Sequence, residues 1–414
     1  MSSDSSLAVP GAFHLERTVR AAVFTDTIDE INGVVYSCRG LMNWIAEAHP
    51  PLEVTFFGLS RRSDTTSLEQ ILIRRYRPRL AHPMLGYREH TGGFLPRRRI
   101  EKDFVEGRYD VVHLLTPGMM GNLGRDLALR YGLPLAGTYF TRFPTFFREY
   151  ASRYLPVPFL LRAFDRYAFR RMRQTYGPCD VVLCQAGNFL DEVRRFYDGD
   201  ARVWTTGVDV NRFRPKDSGP AFRQRHGIRA AHVGLYVGRI ALEKRLDVLV
   251  DVLRDTSDLD LELVMVGDGP HRARLQQRLK GIYTGYLTDE ALVDAYAAAD
   301  FFLFPSDTDA YGIVVMESLA AGVPVIINAR SGGAETVAAC GGGIVYYQYS
   351  ELVQAVRRLC ENPAEREEMA QRGLQYAREH TWEHSSLEIL NVYREIIARR
   401  RGEPAPIRPR VARF

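Results

Sequence analysis

Apolar runs of strand length alternate with longer segments of helical period in the first half of the chain. Residues 19–24 and 52–57 are mostly apolar, whereas the apolar positions within residues 35–48 recur with the spacing of a helix. Further runs of strand length follow at residues 110–115, 133–139 and 181–184. Strands that alternate with helices are typical of a parallel sheet covered on both faces, so the pattern predicts such a sheet.

The same alternation starts again after residues 211–215, with strand-length runs at residues 233–237, 261–266, 301–305 and 323–327. A chain of 414 residues is also too long for one ordinary domain. We therefore predict an α/β fold of two Rossmann-like domains that face each other across a cleft, where ligands bind at the carboxyl ends of the strands. The predicted domains are 1–212 and 213–380. A helix in 381–414 crosses back to the first domain, and its basic end, residues 399–401, is expected to be partly disordered.

The composition, with 46% hydrophobic and 25% charged residues, is that of a soluble globular enzyme. The net charge of +5 is by itself too small to indicate a nucleic-acid partner. Five cysteines without a Cys-x-x-Cys pair predict reduced, structural thiols. Residues 1–10 lack the order of a signal peptide, and no apolar run is long enough to span a membrane. We expect a cytoplasmic protein, and a position at the inner face of the membrane stays open.

Arginine and aromatic residues are concentrated between residues 138 and 176. Three interpretations stay open for this stretch. Its helix faces pack on the first domain, it makes a peripheral contact with anionic lipid, or it binds an acidic acceptor. Nucleic acid is disfavoured because the aromatic residues recur at mixed spacings rather than as a sheet platform.

The polar loop and helix within residues 306–325 carry the strongest chemical signal. An apolar strand ends before the loop, Asp309 lies in it, and Ile313 and Val314 begin the following helix. The start of a helix presents free N–H groups and a partial positive charge, which suit a phosphate group. Glu317 lies near the beginning of the same helix, where its carboxylate can accept hydrogen bonds from sugar hydroxyls.

Two cations follow the strand at residues 233–237 and form a second signal. Arg239 and Lys244 lie in the loop after that strand, where they can clamp a diphosphate and stabilise it as it departs. Gly267 begins a turn at the end of the next strand. Tyr286 and Leu287 follow Gly285 and can present backbone to a nucleobase.

In this order and spacing, the segments resemble family 4 of the glycosyltransferases, which have the GT-B fold. The signature of that family is an acid, seven residues and a glutamate, matched here by Asp309 and Glu317. The segments 31–34, 116–121 and 207–215 also resemble the family. The resemblance covers nearly the whole chain and is most specific in its second half.

The resemblance implies a retaining enzyme that moves a hexose from a UDP- or GDP-sugar to a hydroxyl of a lipid-linked or small-molecule acceptor. The diphosphate leaves, and the acceptor attacks an oxocarbenium-like centre from the same face. No metal and no cofactor besides the donor are required, because cations replace Mg²⁺. The resemblance implies that Arg239 and Lys244 bind the diphosphate and that the backbone amides of Gly33, Ile313 and Val314 contact phosphate. It implies that Glu317 binds the ribose and that Asp309 contacts the donor sugar. Gly267, Tyr286 and Leu287 are expected around the nucleotide.

One segment departs from the family. Relatives carry a histidine in Tyr-His-Thr-Asp-Phe-Pro, and this chain has Phe140 at the histidine position and Arg142 at the aspartate position. A phenyl ring cannot hydrogen-bond a sugar hydroxyl. Two alternatives therefore stay open, a nucleotide-sugar-binding GT-B protein without transferase activity and a GT-B epimerase. His113, which ends a neighbouring strand, is either a core histidine or a substitute for the missing imidazole.

Overall fold

The computed structural model describes residues 17–29, 33–83, 91–140, 158–307, 309 and 312–404, which form two large sheets with flanking helices and one two-stranded antiparallel sheet. The elements of the first half are β1 (Val19–Thr25), α1 (Gly33–Ala48), β2 (Leu52–Leu59), β3 (Thr65–Leu68), β4 (Ile71–Tyr76), β5 (Arg79–Pro83), β6 (Thr91–Phe94), α2 (Arg97–Gly107), β7 (Val111–Leu114), α3 (Met119–Tyr131), β8 (Leu135–Tyr139), α4 (Pro158–Tyr176), β9 (Val181–Cys184), α5 (Gly187–Arg194) and β10 (Ala201–Val203).

The second half is built in the same way. Its elements are α6 (Gly219–His226), β11 (His232–Val237), a 3₁₀ turn (Leu242–Lys244), α7 (Val248–Asp255), β12 (Leu261–Val266), α8 (Arg272–Gln276), β13 (Ile282–Gly285), α9 (Asp289–Ala297), β14 (Phe301–Phe304), α10 (Ile313–Ala320), β15 (Val325–Asn328), α11 (Ala334–Cys340), β16 (Gly343–Tyr346), α12 (Tyr349–Glu361), α13 (Pro363–Glu379) and α14 (Trp382–Arg401).

The N-terminal sheet has the strand order β10-β9-β8-β7-β1-β2-β4-β3, and only β3 runs antiparallel to its neighbour. Its central strands are buried on both faces, which explains why they are apolar with little alternation. The strand order reverses between β1 and β7, so the loops after these two strands border a crevice. The predicted parallel sheet is confirmed.

The C-terminal sheet has the order β13-β12-β11-β14-β15-β16, and every pair is parallel. Here the order reverses between β11 and β14. The loop after β11 carries Arg239 and Lys244, and the loop after β14 carries Asp309. Topology alone therefore brings the two chemical signals of the sequence to one crevice. The predicted boundary between residues 212 and 213 falls between β10 and α6, and its position stays a prediction.

Residues 61–99, in which the sequence shows no readable pattern, contain the strands β3 to β6. The reason lies in their exposure and composition, because β3 is exposed or half-buried throughout and β4 has two consecutive arginines after three apolar residues. The arginines of β4 are paired rather than solvated. Arg74 contacts Asp103 at 3.1 Å, and Arg75 contacts Asp29 at 2.8 Å.

Helix α14 packs against α1 and extends to Arg401, so the expectation of a partly disordered basic end is wrong for residues 399–401. The three arginines pair with acids at the amino edge of the N-terminal sheet, in the pairs Arg399–Asp200, Arg400–Asp180 and Arg401–Asp110. These pairs fix the return of the chain to the first half. In the part of the chain that the structure describes, no helix is both long and apolar enough to cross a bilayer.

All five cysteines are free thiols, and four of them are buried, which confirms the prediction of structural thiols. Helix α4 contributes Met172 and Tyr176 to the core of the first half. The interpretation that this arginine-rich helix packs on the first domain is therefore confirmed for its inner face, whereas Arg166, Tyr167 and Arg170 lie on its exposed face.

Candidate active site

Close backbone packing shapes the floor of the crevice in the C-terminal sheet. Gly267 has a φ of 130°, and a Cβ at this position would lie 2.0 Å from the carbonyl oxygen of Gly238. The Gly267 amide donates to the carbonyl of Gly285 at 2.8 Å. Gly267 is predicted to contact the nucleotide, and here it has a structural role. Any side chain at this position would push the loops after β11 and β12 apart, so no other residue can take its place.

The loop after β11 is fixed at its start and carries the first cation. The hydroxyl of the buried Tyr236 donates to the carbonyl of Arg239 at 2.9 Å, and the amide of Ile240 donates to the carbonyl of Asp268 at 2.9 Å. Arg239 itself is half-buried. Its backbone is thus held at the carboxyl end of β11, where the sequence analysis places a diphosphate ligand.

The second cation is paired with the signature acid. The Lys244 Nζ donates to Asp309 Oδ1, and neighbouring Arg245 donates to Asp307 Oδ2. The Lys244 and Asp309 side chains are 19% and 21% exposed, so the pair is largely removed from water. Among the described residues, Asp309 Oδ2 is buried and has no hydrogen-bond partner. The structure therefore brings two predicted site residues together and leaves the acid with unused accepting capacity.

Two helix N-termini meet on the opposite side of the crevice. Gly312 has a φ of 72° and precedes Ile313 and Val314, the first two residues of α10. Gly33 begins α1, and a Cβ on it would lie 3.6 Å from Ile313 Cδ1. The predicted phosphate contacts from the two halves are thus adjacent. Their amides and helix dipoles favour a negatively charged group between them.

Glu317 lies in the second turn of α10 and is only 3% exposed. The hydroxyl of Tyr296, from α9, donates to Glu317 Oε2 at 2.9 Å. The hydroxyl of Tyr36, from α1 in the first half, lies beside this carboxylate. Burial raises the pKa of Glu317, although the hydrogen bonds from Tyr296 and Tyr36 and the charge of Arg212 lower it in part.

Tyr286 and Leu287 lie on the rim of the crevice after β13. Tyr286 is 60% exposed, and its hydroxyl donates to the carbonyl of Asp268 at 3.4 Å. Leu287 packs against the core of the second half. The exposed phenol ring of Tyr286 is therefore the surface that this pair offers to a flat ring such as a nucleobase.

His113, the candidate substitute for the missing imidazole, is a core residue. His113 is 2% exposed, its Nδ1 lies 2.8 Å from Tyr393 Oη, and its Nε2 lies 2.7 Å from Thr138 Oγ1. Burial lowers its pKa to about 3. With both ring nitrogens engaged inside the core, His113 is not a substitute for the missing imidazole, so that interpretation is wrong.

Phe140 directly follows β8 and packs on Trp204, with ring centroids 6.1 Å apart at 77°. With His113 and Trp382 it lines a cavity of about 20 Å³. The ring is half-buried and joins the apolar cluster between the N-terminal sheet and α14. Arg142, at the other departing position, lies outside the described residues.

The crevice of the N-terminal sheet is organised by an acid that the sequence analysis missed. Asp26 follows β1 and accepts from Thr116 Oγ1 at 2.5 Å and from the Met120 amide, in the first turn of α3, at 2.8 Å. Gly118 passes so close that a Cβ there would lie 2.2 Å from Asp26 Oδ2. The matched segment 116–121 was a signal for this loop, but nothing in the sequence showed that an aspartate 90 residues away holds it.

Where the structure describes the side chains, no group of three or more His, Cys, Asp or Glu residues is arranged to hold a metal ion. The charges that could neutralise an anion in the crevice are those of Arg239, Lys244 and Arg245 and the two helix N-termini. This arrangement can bind a diphosphate through cations and amides and a ribose through a carboxylate.

Comparison with known families gives matches to both halves. Residues 31–212 match the glycosyltransferase family 4 description, and residues 220–376 match the description glycosyl transferases group 1. A D-inositol 3-phosphate glycosyltransferase of Saccharomonospora viridis is 30% identical over 75% of this chain and 75% of its own length.

Two other relatives widen the chemical range. A GDP-mannose-dependent alpha-mannosyltransferase of Mycobacterium tuberculosis is 33% identical over 52% of this chain. The chain spans 54% of the length of that relative, or about half. An alpha-monoglucosyldiacylglycerol synthase of Streptococcus pneumoniae is 25% identical over 82% of this chain and 77% of its own length.

Among solved structures, sucrose-phosphate synthase from Thermosynechococcus elongatus superposes with a TM-score of 0.71 at 20% identity. The superposition covers 92% of this chain and 100% of that chain. The likeness therefore extends over both sheets, and the predicted GT-B architecture is confirmed.

Proposed function

Since this chain belongs to the group 1 glycosyltransferases, we propose that it is a retaining enzyme that transfers a hexose from a UDP- or GDP-sugar to a hydroxyl of a lipid-linked or small-molecule acceptor. The observation that carries the proposal is the meeting, at one crevice, of the Lys244–Asp309 pair, the N-termini of α1 and α10, and the buried Glu317. The GDP-mannose dependence of one relative supports a sugar nucleotide as donor.

In the proposed mechanism, the site stabilises negative charge where it develops. As the glycosidic bond to phosphate breaks, charge accumulates on the departing diphosphate. Lys244 and Arg239 neutralise it, and the amides of Ile313 and Val314 donate to its oxygens. Asp309 leaves Lys244 to the phosphate and accepts from hydroxyls of the donor sugar through its unused oxygen. The acceptor then attacks from the face that the diphosphate has left, which retains the anomeric configuration.

We propose that this chemistry needs no metal and no cofactor besides the donor. Two side-chain cations and two helix N-termini supply the positive charge that Mg²⁺ supplies elsewhere. The expected outcome is undiminished transfer in excess EDTA, and a loss of transfer that Mg²⁺ or Mn²⁺ restores would contradict it.

The acceptor is proposed to enter the crevice of the N-terminal sheet, beside Asp26 and Thr116. Relatives named for a diacylglycerol product and for inositol 3-phosphate support lipid and small polar acceptors alike. Helix α4 supports a lipid surface, because Arg166, Arg170 and Arg173 lie four and three residues apart on its exposed face, and Tyr167 beside them is 60% exposed.

The membrane contact is tested by flotation with vesicles of phosphatidylcholine alone or with added phosphatidylglycerol. The protein is expected to float with the anionic vesicles and to lose this binding at high salt or when the three α4 arginines become glutamine. A control variant replaces Arg225, Arg229 and Arg274, which are exposed in the second half, and removes the same charge. Equal binding by both variants would contradict a contact through α4.

Transfer itself is tested by incubating UDP-glucose, UDP-galactose, UDP-N-acetylglucosamine and GDP-mannose with acceptor vesicles and with inositol phosphates. One donor is expected to give a glycosylated product whose anomeric proton matches the donor configuration by NMR. A product of inverted configuration would contradict the retaining mechanism, and absence of any product with binding of a donor would favour the first alternative below.

The first alternative is a nucleotide-sugar-binding protein without transfer, and Phe140 is the observation that favours it. The phenyl ring of Phe140 offers no hydrogen bond to a sugar, and it packs on Trp204. Phe140→His is expected to raise donor hydrolysis if the position faces the sugar. An epimerase needs an acid–base group in the crevice, and the burial of His113 removes one candidate. Incubation of the donor alone, with analysis for an epimer, separates this alternative.

A further inference from the structure

Tyr36, in the first half of the chain, lies against the Glu317 carboxylate of the second half, which is the proposed ribose ligand. Tyr36 lies in the first turn of α1, three residues after Gly33, and Glu317 lies one turn after Ile313 in α10. The approach of Gly33 to Ile313 therefore brings the Tyr36 hydroxyl beside the Glu317 carboxylate, and burial together with that carboxylate raises the pKa of Tyr36. Glu317 belongs to α10, and its other partner, Tyr296, comes from α9 in the same half. The Tyr36–Glu317 contact therefore crosses the cleft at the same place where Gly33 meets Ile313.

The ring of Tyr36 is held by the segment that joins the halves. It packs on Trp382, the first residue of α14, with ring centroids 5.6 Å apart at 51°. Trp382 in turn lies against α1 so closely that a Cβ on Gly40 would be 2.1 Å from its ring. Tyr36 is thus positioned by α1 and by the start of the crossing helix, rather than by the sheet that carries the donor site.

We propose that Tyr36 is the gating residue of the donor site: its hydroxyl occupies Glu317 in the free protein, and the ribose hydroxyls of the nucleotide take its place. This inference rests on the proposed function, because it takes Glu317 as the ribose ligand. It adds a competitor for that ligand, which neither the family likeness nor the sequence motifs assign.

The competition follows from burial. A carboxylate that is 3% exposed has almost no water to accept from, so protein groups must supply its hydrogen bonds. Tyr296 is fully buried in the second half and remains in either state. Tyr36 belongs to the other half and can withdraw when the halves shift. In the proposed gate, a ribose diol makes its hydrogen bonds to Glu317 in place of Tyr36, so nucleotide binding includes the cost of displacing that hydroxyl.

A second contact between the halves provides a control. The carboxylate of Glu335, on α11, accepts from the Gly187 amide at the start of α5 at 2.7 Å. This contact also joins the halves, but it does not involve Glu317. Glu335→Gln therefore weakens the closed arrangement without freeing the ribose carboxylate, whereas Tyr36→Phe frees the carboxylate and keeps the ring.

The experiment is calorimetry of UDP and GDP binding to the full chain and to Tyr36→Phe, Tyr296→Phe and Glu335→Gln. Tyr36→Phe is expected to bind the nucleotide roughly threefold to tenfold more tightly, which is the net value of one hydrogen bond to the competitor. Tyr296→Phe and Glu335→Gln are expected to show no tightening, because the first removes a partner that stays in both states and the second frees no ribose ligand.

Equal or weaker binding by Tyr36→Phe would overturn the gate, and weaker binding would identify Tyr36 as a direct nucleotide ligand instead. The same tightening in Glu335→Gln would also overturn it, since general loosening of the halves would then explain the effect. If neither UDP nor GDP binds to any variant, the proposed function fails together with the gate, which distinguishes that failure from failure of the gate alone.

A second readout does not depend on a variant. Of the three tryptophans, Trp44 and Trp204 are buried in the core, and Trp382 is half-buried beneath Tyr36. Departure of Tyr36 is expected to raise the accessibility of Trp382, so the nucleotide that binds should increase acrylamide quenching of the wild-type emission. Unchanged or decreased quenching at saturating nucleotide would overturn the gate.

Discussion

Lys244→Met is the substitution that separates a diphosphate ligand from a structural ion pair. Lys244 is 19% exposed and pairs with Asp309, so methionine keeps the stem and removes the charge. If Lys244 binds the diphosphate, the lost charge-assisted contact weakens nucleotide affinity by about 1.5–3 kcal/mol, or roughly ten- to hundredfold. The same change leaves Asp309 as a largely buried carboxylate without its cation, which should destabilise the fold by about 1–3 kcal/mol.

The two effects are separated by the double variant Lys244→Met/Asp309→Asn. Neutral asparagine removes the buried unpaired charge, so the double variant should recover most of the unfolding free energy while nucleotide affinity stays low. Calorimetry with UDP and GDP measures affinity, and urea unfolding measures stability. Wild-type affinity in Lys244→Met, or restored affinity in the double variant, would refute the assignment of Lys244 to the diphosphate.

Three further predictions concern burial and backbone. Burial raises the pKa of Glu317 above the ordinary value of 4.5, so on acidification its carboxylate should become protonated, and nucleotide affinity should fall, before pH 4.5 is reached. Calorimetry measures this affinity, and Glu317→Gln should bind the nucleotide weakly at every pH. Burial lowers the pKa of His113 from 6.5 to about 3, so below about pH 7 the unfolded state takes up a proton that the folded state does not. The free energy of unfolding should therefore drop by about 2 kcal/mol between about pH 7 and about pH 5. Urea titrations measure this drop, and His113→Asn should lack it. Gly267→Ala should lower the free energy of unfolding by about 3 kcal/mol or more, since its Cβ would lie 2.0 Å from the Gly238 carbonyl oxygen. Gly227→Ala is the control in thermal unfolding. Gly227 has a φ of 69° and open space around it, so this change should lower the free energy of unfolding by about 1 kcal/mol.

The sequence predicts what is local. The central strands are readable because both of their faces are buried, which leaves apolar runs bounded by turns. Lys244 and Asp309 are readable because each follows a strand, and a switch in strand order brings the ends of β11 and β14 together. The roles assigned to these residues remain proposals, but their meeting is a consequence of topology that the motif order already implies.

Contacts between segments that are distant along the chain could not be predicted from the sequence. Tyr36 and Glu317 are far apart along the chain and belong to different halves, so no spacing rule connects them. The contact by which Asp26 holds the loop at Thr116 could not be predicted for the same reason, because the two residues are 90 positions apart. The arginines at 399–401 look like a solvated end until the acids at the amino edge of the sheet are placed beside them.

His113 illustrates a different limit. Its position at the end of a strand is compatible with a cleft, and only the placement of Tyr393 from α14 shows that the ring is enclosed. Phe140 joins the same apolar cluster as Tyr393, and its ring packs on Trp204 at the end of β8.

Donor calorimetry combined with release of free nucleotide shows whether the crevice of the C-terminal sheet holds a sugar nucleotide. UDP-glucose, UDP-galactose, UDP-N-acetylglucosamine and GDP-mannose are each titrated into the wild-type chain and into Lys244→Met without acceptor. One of them is expected to bind the wild type, to be converted slowly to free UDP or GDP, and to bind Lys244→Met at least about tenfold more weakly. Binding of none of the four, or equal binding by Lys244→Met, would contradict this expectation.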